Sequence, residues 1–556
     1  MEAATRNPFA PIPCGVRLSS RLTSRRRNPL KTPGEHLLAW AALVLTFLSA
    51  PLLSQVTGRD AGQSNWPFGE GSRFSSRGDR DYYNLGILGA KASDDPSKDK
   101  VRESGGGRQT FEGGGNDKSD DGPKKLHVRL LFPGGPAEKA GILIGDAIVA
   151  VNGKSLDQAP SLETMAEALK LAEGKTGKIE LRIERKDAPK PITFTISLVK
   201  KPNPAMLKPI EGKGRGAILD AALEFLSEKQ SSDGGFPETL SGSNGAVVQA
   251  ALGGLAWLAG GSDLRSGKYR ENIDRAVSFI TRVIDQPDPF GGARGASDAN
   301  WNQSNWSYVH AAIFLGELHA RSPSPRVKKE LERIVKEIET RQETSGGWAH
   351  GPGGPNALNY VELNIMTALA LSGLGCAKVA GLEVSEETVK KALAYIEASG
   401  PSGGVGYADK AGQKGMGNIG RTAGCWLGMR LLTKGTDPYV QKMADYTKRN
   451  IADVLGGHAS LMQHIFLAGV AAPALGKDAV REYWAKMERD LVLARTPAGS
   501  LQPRPWHESL LMGSNSDVSF GEVWTTAAWA IVLGAEPFDG RKGGLPTWLG
   551  QASKKK

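Results

Sequence analysis

The 556-residue chain is 40% hydrophobic and 23% charged, which excludes a wholly disordered or fibrous polypeptide and leaves room for two to four packed domains. Its net charge of +11 is not one patch: Arg21, Arg25, Arg26 and Arg27 lie near the start and Lys554–Lys556 at the end. No basic stripe with interleaved aromatics appears between them, which argues against a nucleic-acid partner. Three cysteines, Cys14, Cys376 and Cys425, are too few for a disulfide framework, and the last two sit in apolar runs that read as buried free thiols.

Residues 1–60 read as an export signal or membrane anchor. The arginines precede LLAWAALVLTFLSAPLL at 37–53, an apolar run at the short edge of a membrane span and long for a cleaved signal. The basic flank before the run directs the rest of the chain outward. The expected location is therefore periplasmic, secreted, or anchored by a single N-terminal transmembrane helix.

Residues 61–124 are rich in Gly, Ser, Asp, Arg and Lys and read as a disordered linker. Within it lies an apolar island, DYYNLGILGA at 81–90. Residues 125–202 change character: LHVRLLF, KIELRIERK and PITFTISLVK alternate like strands, and LETMAEALKLAEG reads as an amphipathic helix. From 210 to 545 the chain repeats. Glycine pairs at 234–235, 291–292, 346–347, 403–404 and 456–457 recur 57, 55, 57 and 53 residues apart, and TPAGSLQP forms a weaker sixth loop. Each pair follows a half-polar helix and precedes an apolar, small-residue-rich one, which predicts six outer and six inner helices. The last inner helix, VWTTAAWAIVLGA, is as apolar as the middle ones, so the array is expected to close rather than end in a polar cap. Residues 546–556 are a basic tail.

Two resemblances follow. YNLGILGA is similar to the carboxylate-binding loop of PDZ domains. GGPAEKAGILIGDAIVAVNGKSL, with Pro136, Ala137, Ala140, Gly141, Gly145, Asp146, Val151, Asn152 and Gly153, resembles the PDZ domains of bacterial proteases. Residues 210–545 resemble the α/α toroid of terpenoid cyclases and protein prenyltransferases through the GGF, GGW and GGVGY loops. The layout is similar to an uncharacterised family of bacterial extracytoplasmic PDZ-plus-toroid proteins. The expected fold is thus multidomain: a small β-rich PDZ-like domain followed by an all-α (α/α)6 toroid.

The PDZ resemblance implies a protein or peptide partner. A Gly-rich turn offers backbone N–H groups to a terminal carboxylate, and the peptide adds beside the next strand. The candidates are Asn84, Leu85, Gly86, Ile87 and Leu88, with Met165 and Leu169 lining the side-chain pocket. A separate protease is a further candidate partner, because PDZ domains of this type travel with one. In the toroid, Asn305, His310, Tyr360, Glu362, Asn364, Arg421, His458, Gln463, His464 and Glu522 stand at inner-helix starts, where free N–H groups converge and favour anions. The catalytic signatures of the resembled enzymes are missing. No D-x-D-D occurs, Ala423 and Leu374 stand two before Cys425 and Cys376 where a zinc-binding prenyltransferase has Asp, and neither cysteine is followed by the Gln of a thioester. No cofactor and no metal is expected. The reading is an extracytoplasmic binding scaffold. The alternative is a diverged toroid enzyme, cyclase-like, transferase-like or glycan-acting, with Glu362 and Glu522 as its carboxylates.

The leader is tested by fusing residues 1–60 to alkaline phosphatase, which is active only outside the cytoplasm. We expect an active fusion, and an inactive one contradicts export.

Overall fold

The computed structural model describes residues 83–93, 125–236, 243–286, 304–351, 362–410, 415–455, 460–502, 516–541, 543–545 and 547–550. The expected export segment, residues 1–60, lies outside them, as do Tyr360, His458 and the glycine pairs at 291–292 and 456–457.

The N-terminal part is a small antiparallel sheet with one main helix. Its strands are β1 (Tyr83–Asn84), β2 (Ala90–Ser93), β3 (Leu126–Leu131), β4 (Ala147–Val151), β5 (Lys154–Ser155), β6 (Lys178–Glu184) and β7 (Ile192–Ser197), ordered β1-β2-β3-β4-β6-β7 with β5 paired to β4. A short helix α1 (Pro136–Lys139) and the longer α2 (Ser161–Leu171) complete it. Strand β6 buries every second residue, Ile179, Leu181 and Ile183, as a half-covered strand must. Asn152 and Gly153 both hold positive φ, 48° and 77°, between the paired residues Val151 and Lys154. That is the twist a two-residue hairpin requires. The buried Asp146 carboxylate accepts from Leu143 N at 2.8 Å and from Arg185 Nε and Nη2 at 2.8 and 2.7 Å, which locks the Gly145–Asp146 turn onto the end of β6.

Twelve helices follow among the described residues. The inner ones are α4 (Ser243–Ala259), α6 (Ser304–Arg321), α8 (Asn364–Val379), α10 (Ile419–Leu432), α12 (Leu461–Leu475) and α14 (Ser516–Gly534). Each packs on the next, and α14 packs on α4, so the ring is closed. The outer ones are α3 (Gly212–Lys229), α5 (Arg270–Ile284), α7 (Pro325–Thr340), α9 (Glu386–Ser399), α11 (Pro438–Asn450) and α13 (Lys477–Ala494). The outer helices α5 and α7 bury one stripe, whereas α6, α8, α10 and α12 are buried almost all round, the partition expected of a two-layer barrel. Cys376 and Cys425 are free, fully buried thiols, and burial pushes both upward in pKa.

The glycine pairs are the clamps of the repeat. Gly234, Gly346 and Gly403 have φ of 96°, 100° and 97°, and a Cβ on them would lie 2.1, 2.3 and 2.5 Å from the carbonyl oxygens of Arg275, Lys391 and Lys442 on the next outer helix. The second glycine of each pair lies flat on an aromatic ring one turn further along: Gly235 on Phe279, Gly347 on Tyr395 and Gly404 on Tyr446. Only glycine permits both the backbone conformation and the approach.

The C-terminal segment plugs the ring where the inner helices end. Trp548 is fully buried, lies edge-on to Phe466 at 5.5 Å, and its carbonyl accepts from Arg430 at 3.1 Å. Glu317, buried on α6, accepts from the Thr547 and Trp548 amides. Burial pushes its carboxyl up to about 7.

Gly346→Ala tests the clamp. It combines a left-handed strain with a collision against Lys391, so we expect a loss of roughly 2–4 kcal/mol, read as a lower urea midpoint. Gly381→Ala, with φ of 93° but open space around it, is the control and should cost about 1 kcal/mol. Equal losses at both positions contradict the clamp.

Candidate functional site

Two regions hold the candidate residues: the loop-and-helix face of the sheet domain, and the end of the toroid where the inner helices begin.

The loop between β1 and β2 is a tight turn. Residues Gly86–Leu88 form one turn of 3-10 helix, and Gly89 closes it at φ 75°. Leu88 N donates to Leu85 O at 3.3 Å, Gly89 N to Gly86 O at 3.1 Å, and Leu85 N to Ala90 O at 3.0 Å. The turn therefore spends on itself the Leu85 and Leu88 amides, two of those in the candidate loop. Its hairpin also returns the chain along β2, where Tyr83 pairs with Ala92 and Asn84 with Lys91. Because β3 takes the other side, both edges of β2 are paired.

The apolar candidates of this loop come together with those of α2. Leu85, Ile87, Leu88, Met165 and Leu169 are all buried in one cluster, and Val492 and Leu493 of outer helix α13 belong to the same cluster. Gly86 is wedged at the centre: a Cβ there would lie 2.7 Å from Leu169 Cδ1 and 2.9 Å from the Val492 carbonyl oxygen. Around the apolar contact run three polar ties. Arg495 makes a bidentate bridge to Glu173, 2.6 Å on each arm, with both side chains largely buried. Lys170 bonds Glu488 at 2.8 Å. Lys91 of β2, fully buried, donates to Gln502 Oε1 at 3.1 Å, and the Gln502 and Ser500 side chains both donate to Glu522. Burial holds the Lys91 ammonium well below its usual pKa, opposed by the Glu522 charge, and burial raises the Glu522 carboxyl. Sequence inspection singles out Glu522 but not Lys91 or Gln502, because nothing in AKAS at 90–93 marks a lysine that leaves its own domain.

Several of the described toroid candidates are tied to neighbouring backbone carbonyls and rings. Asn305 donates to Ala349 O at 2.9 Å. His310 bonds the Trp306 carbonyl at 2.8 Å and faces the edge of Trp524. Burial pushes His310 and its neighbour His350 down to about 4, so both rings are neutral at physiological pH. On the next hairpins, Asn364 donates to Gly406 O at 3.1 Å, and Cys425 Sγ approaches Asn364 O at 3.7 Å. Arg421 lies over the Tyr407 ring at 5.6 Å. His464 packs against Gly420, where a Cβ would lie 2.4 Å from its Nδ1. Gln463, on the first turn of α12, is buried with neither amide atom hydrogen-bonded among the described residues. Glu362 is buried just before α8, and its carbonyl accepts from Tyr395 at 2.7 Å. Among the described residues no group of three or more His, Cys, Asp or Glu could hold a metal ion, and no helix is long and apolar enough to cross a membrane.

One further motif is present in the sequence. Gly400–Gly404, GPSGG, has the spacing of a nucleophile elbow, but Ser402 is exposed in a turn that follows helix α9. The elbow needs a strained passage from strand to helix, and this turn has none.

Comparison with known proteins agrees with the two-part architecture. A family profile described as a PDZ domain matches residues 128–185, and one described as a domain of unknown function (DUF6288) matches residues 216–533. No curated protein matches the chain. Among solved structures, the chain is similar to the alpha-1,6-mannanase GH76A of Salegentibacter sp. HEL1_6, at 12% identity, with 58% of this chain and 98% of that one covered and a TM-score of 0.39. It is similar to the type II terpene cyclase MstE from Scytonema at 13% identity, 58% and 96% coverage and a TM-score of 0.34. A protein from Actinoplanes stands at 16% identity, 57% and 98% coverage and 0.34. Likenesses this distant carry no statement about activity. The DUF6288 profile spans more than half of the 556 residues: the chain belongs to that family and carries a PDZ domain ahead of the helical toroid.

Proposed function

We propose that this chain is an extracytoplasmic scaffold that binds protein or peptide segments. Its PDZ domain recognises an apolar C-terminus, and the polar end of the toroid offers a concave surface to a second ligand. One observation supports the reading above the others. The face made by Leu85, Ile87, Met165 and Leu169 takes in two apolar side chains from a separate element, Val492 and Leu493, so it is shaped and apolar enough to hold a chain segment. With both edges of β2 paired, the ligand is held chiefly by this side-chain pocket and not by a full added strand. The Arg-rich leader supports placement outside the cytoplasm.

The enzyme alternative has weaker support. His310 is buried and His350 half-buried, and both neutral rings pack on Trp306.

A library of peptides with free C-termini, screened against the full chain, tests the proposal. We expect enrichment of apolar terminal residues and loss of binding when the terminal carboxylate is amidated. A library that shows no C-terminal preference contradicts it. Turnover of squalene or farnesyl diphosphate that disappears in Glu522→Gln would replace it with the enzyme alternative.

A further inference from the structure

We propose that the PDZ pocket is latched by the chain's own helix α13, and that a peptide ligand binds by displacing the end of that helix. This inference rests on the peptide-binding reading above.

The latch begins with an outer helix that is apolar on too many sides. At its end, Leu491, Val492, Leu493 and Ala494 follow one another and all are buried. Leu491 and Ala494 belong to the toroid core, whereas Val492 and Leu493 complete the PDZ core. A single helix end is therefore shared by the two domains. Its last carbonyls lack helical partners and carry the negative end of the helix dipole. The Val492 carbonyl lies against Gly86, with its oxygen 2.9 Å from where a Cβ would stand. An apolar side chain with a partly negative oxygen beside it is the chemistry that a PDZ loop takes from a peptide terminus. Helix α13 supplies both from within the chain.

The polar ties make the contact releasable. The bidentate Arg495–Glu173 bridge flanks the helix end, and Lys170–Glu488 crosses one turn earlier. Both join PDZ residues to α13 or to the residue that follows it, and both depend on complementary charge. A small cavity of about 30 Å³ lies along the seam, lined by Tyr83, Asn84, Leu162, Asp490, Leu493 and Gln502.

The experiment uses the full chain with three variants: Glu173→Arg, Arg495→Glu, and the double charge swap Glu173→Arg/Arg495→Glu. Hydrogen–deuterium exchange reports whether the seam opens. Fluorescence anisotropy reports binding of a labelled Asp-Leu-Val-Leu-Ala peptide with a free carboxylate, which is the sequence of residues 490–494. We expect each single variant to raise deuterium uptake over 83–93 and 161–173, and to bind the peptide at least tenfold more tightly than wild type. The double variant should restore both values, which separates unlatching from misfolding. Unchanged uptake in the single variants, or wild-type binding as tight as theirs, overturns the latch. Raised uptake with restored protection in the double variant, but no binding of the free-acid peptide by any variant, overturns peptide recognition and with it the displacement step.

Discussion

The last turn of α13 cannot be satisfied by one neighbour. Four consecutive apolar residues, Leu491 to Ala494, cover more than one face of a helix, so a toroid core on one side leaves Val492 and Leu493 facing outward. Covering a Val or Leu side chain fully is worth about 1.5–3 kcal/mol, and the PDZ loop is what covers these two. The placement of the whole PDZ domain follows from that requirement, and so does the state of its pocket. Lys91 illustrates the cost. It is withdrawn from water on a strand where lysine is ordinarily solvated, and it survives there because Gln502 and the nearby Glu522 face it. A buried lysine of this kind is weak evidence for stability.

The toroid solves a different problem. Six nearly all-apolar helices have no exposed edge only if the ring closes, and α14 packing on α4 closes it. The glycine pairs then set the pitch of each hairpin against its successor, carbonyl to Cα and ring to Cα, in the same way at three described positions. The residues around Trp548 fill the end where the inner helices finish.

Much of this was legible in the sequence because it rests on local constraints. The glycine pairs recur because a side chain there would strike a carbonyl, so their spacing marked the hairpins. The alternation of inner and outer helices followed from which segments could tolerate water. The PDZ body was legible through Asp146, Asn152 and Gly153, whose turn geometry few other residues satisfy. What the sequence did not disclose were contacts between distant parts. LVLA at 491–494 carries an excess of apolar residues for an outer helix, the one signal that it had a second neighbour, but nothing in it names the PDZ loop. Lys91, Gln502 and the plug around Trp548 were equally silent, because their roles depend on which surfaces meet. Among the toroid candidates, Asn305 and Asn364 hold backbone carbonyls of the following loops, Ala349 O and Gly406 O, partners that their own segments do not name.

The central claim is that the PDZ domain and the toroid form one body, with α13 seated in the PDZ pocket. A distance measurement between them tests it most directly. Spin labels at Ile144→Cys, on an exposed turn of the PDZ domain, and at Asp478→Cys, on the exposed start of α13, in a Cys14→Ser chain whose other cysteines are buried, give that distance by double electron–electron resonance. A seated helix predicts one narrow distribution in the absence of peptide, and a broad or multiply peaked distribution contradicts it.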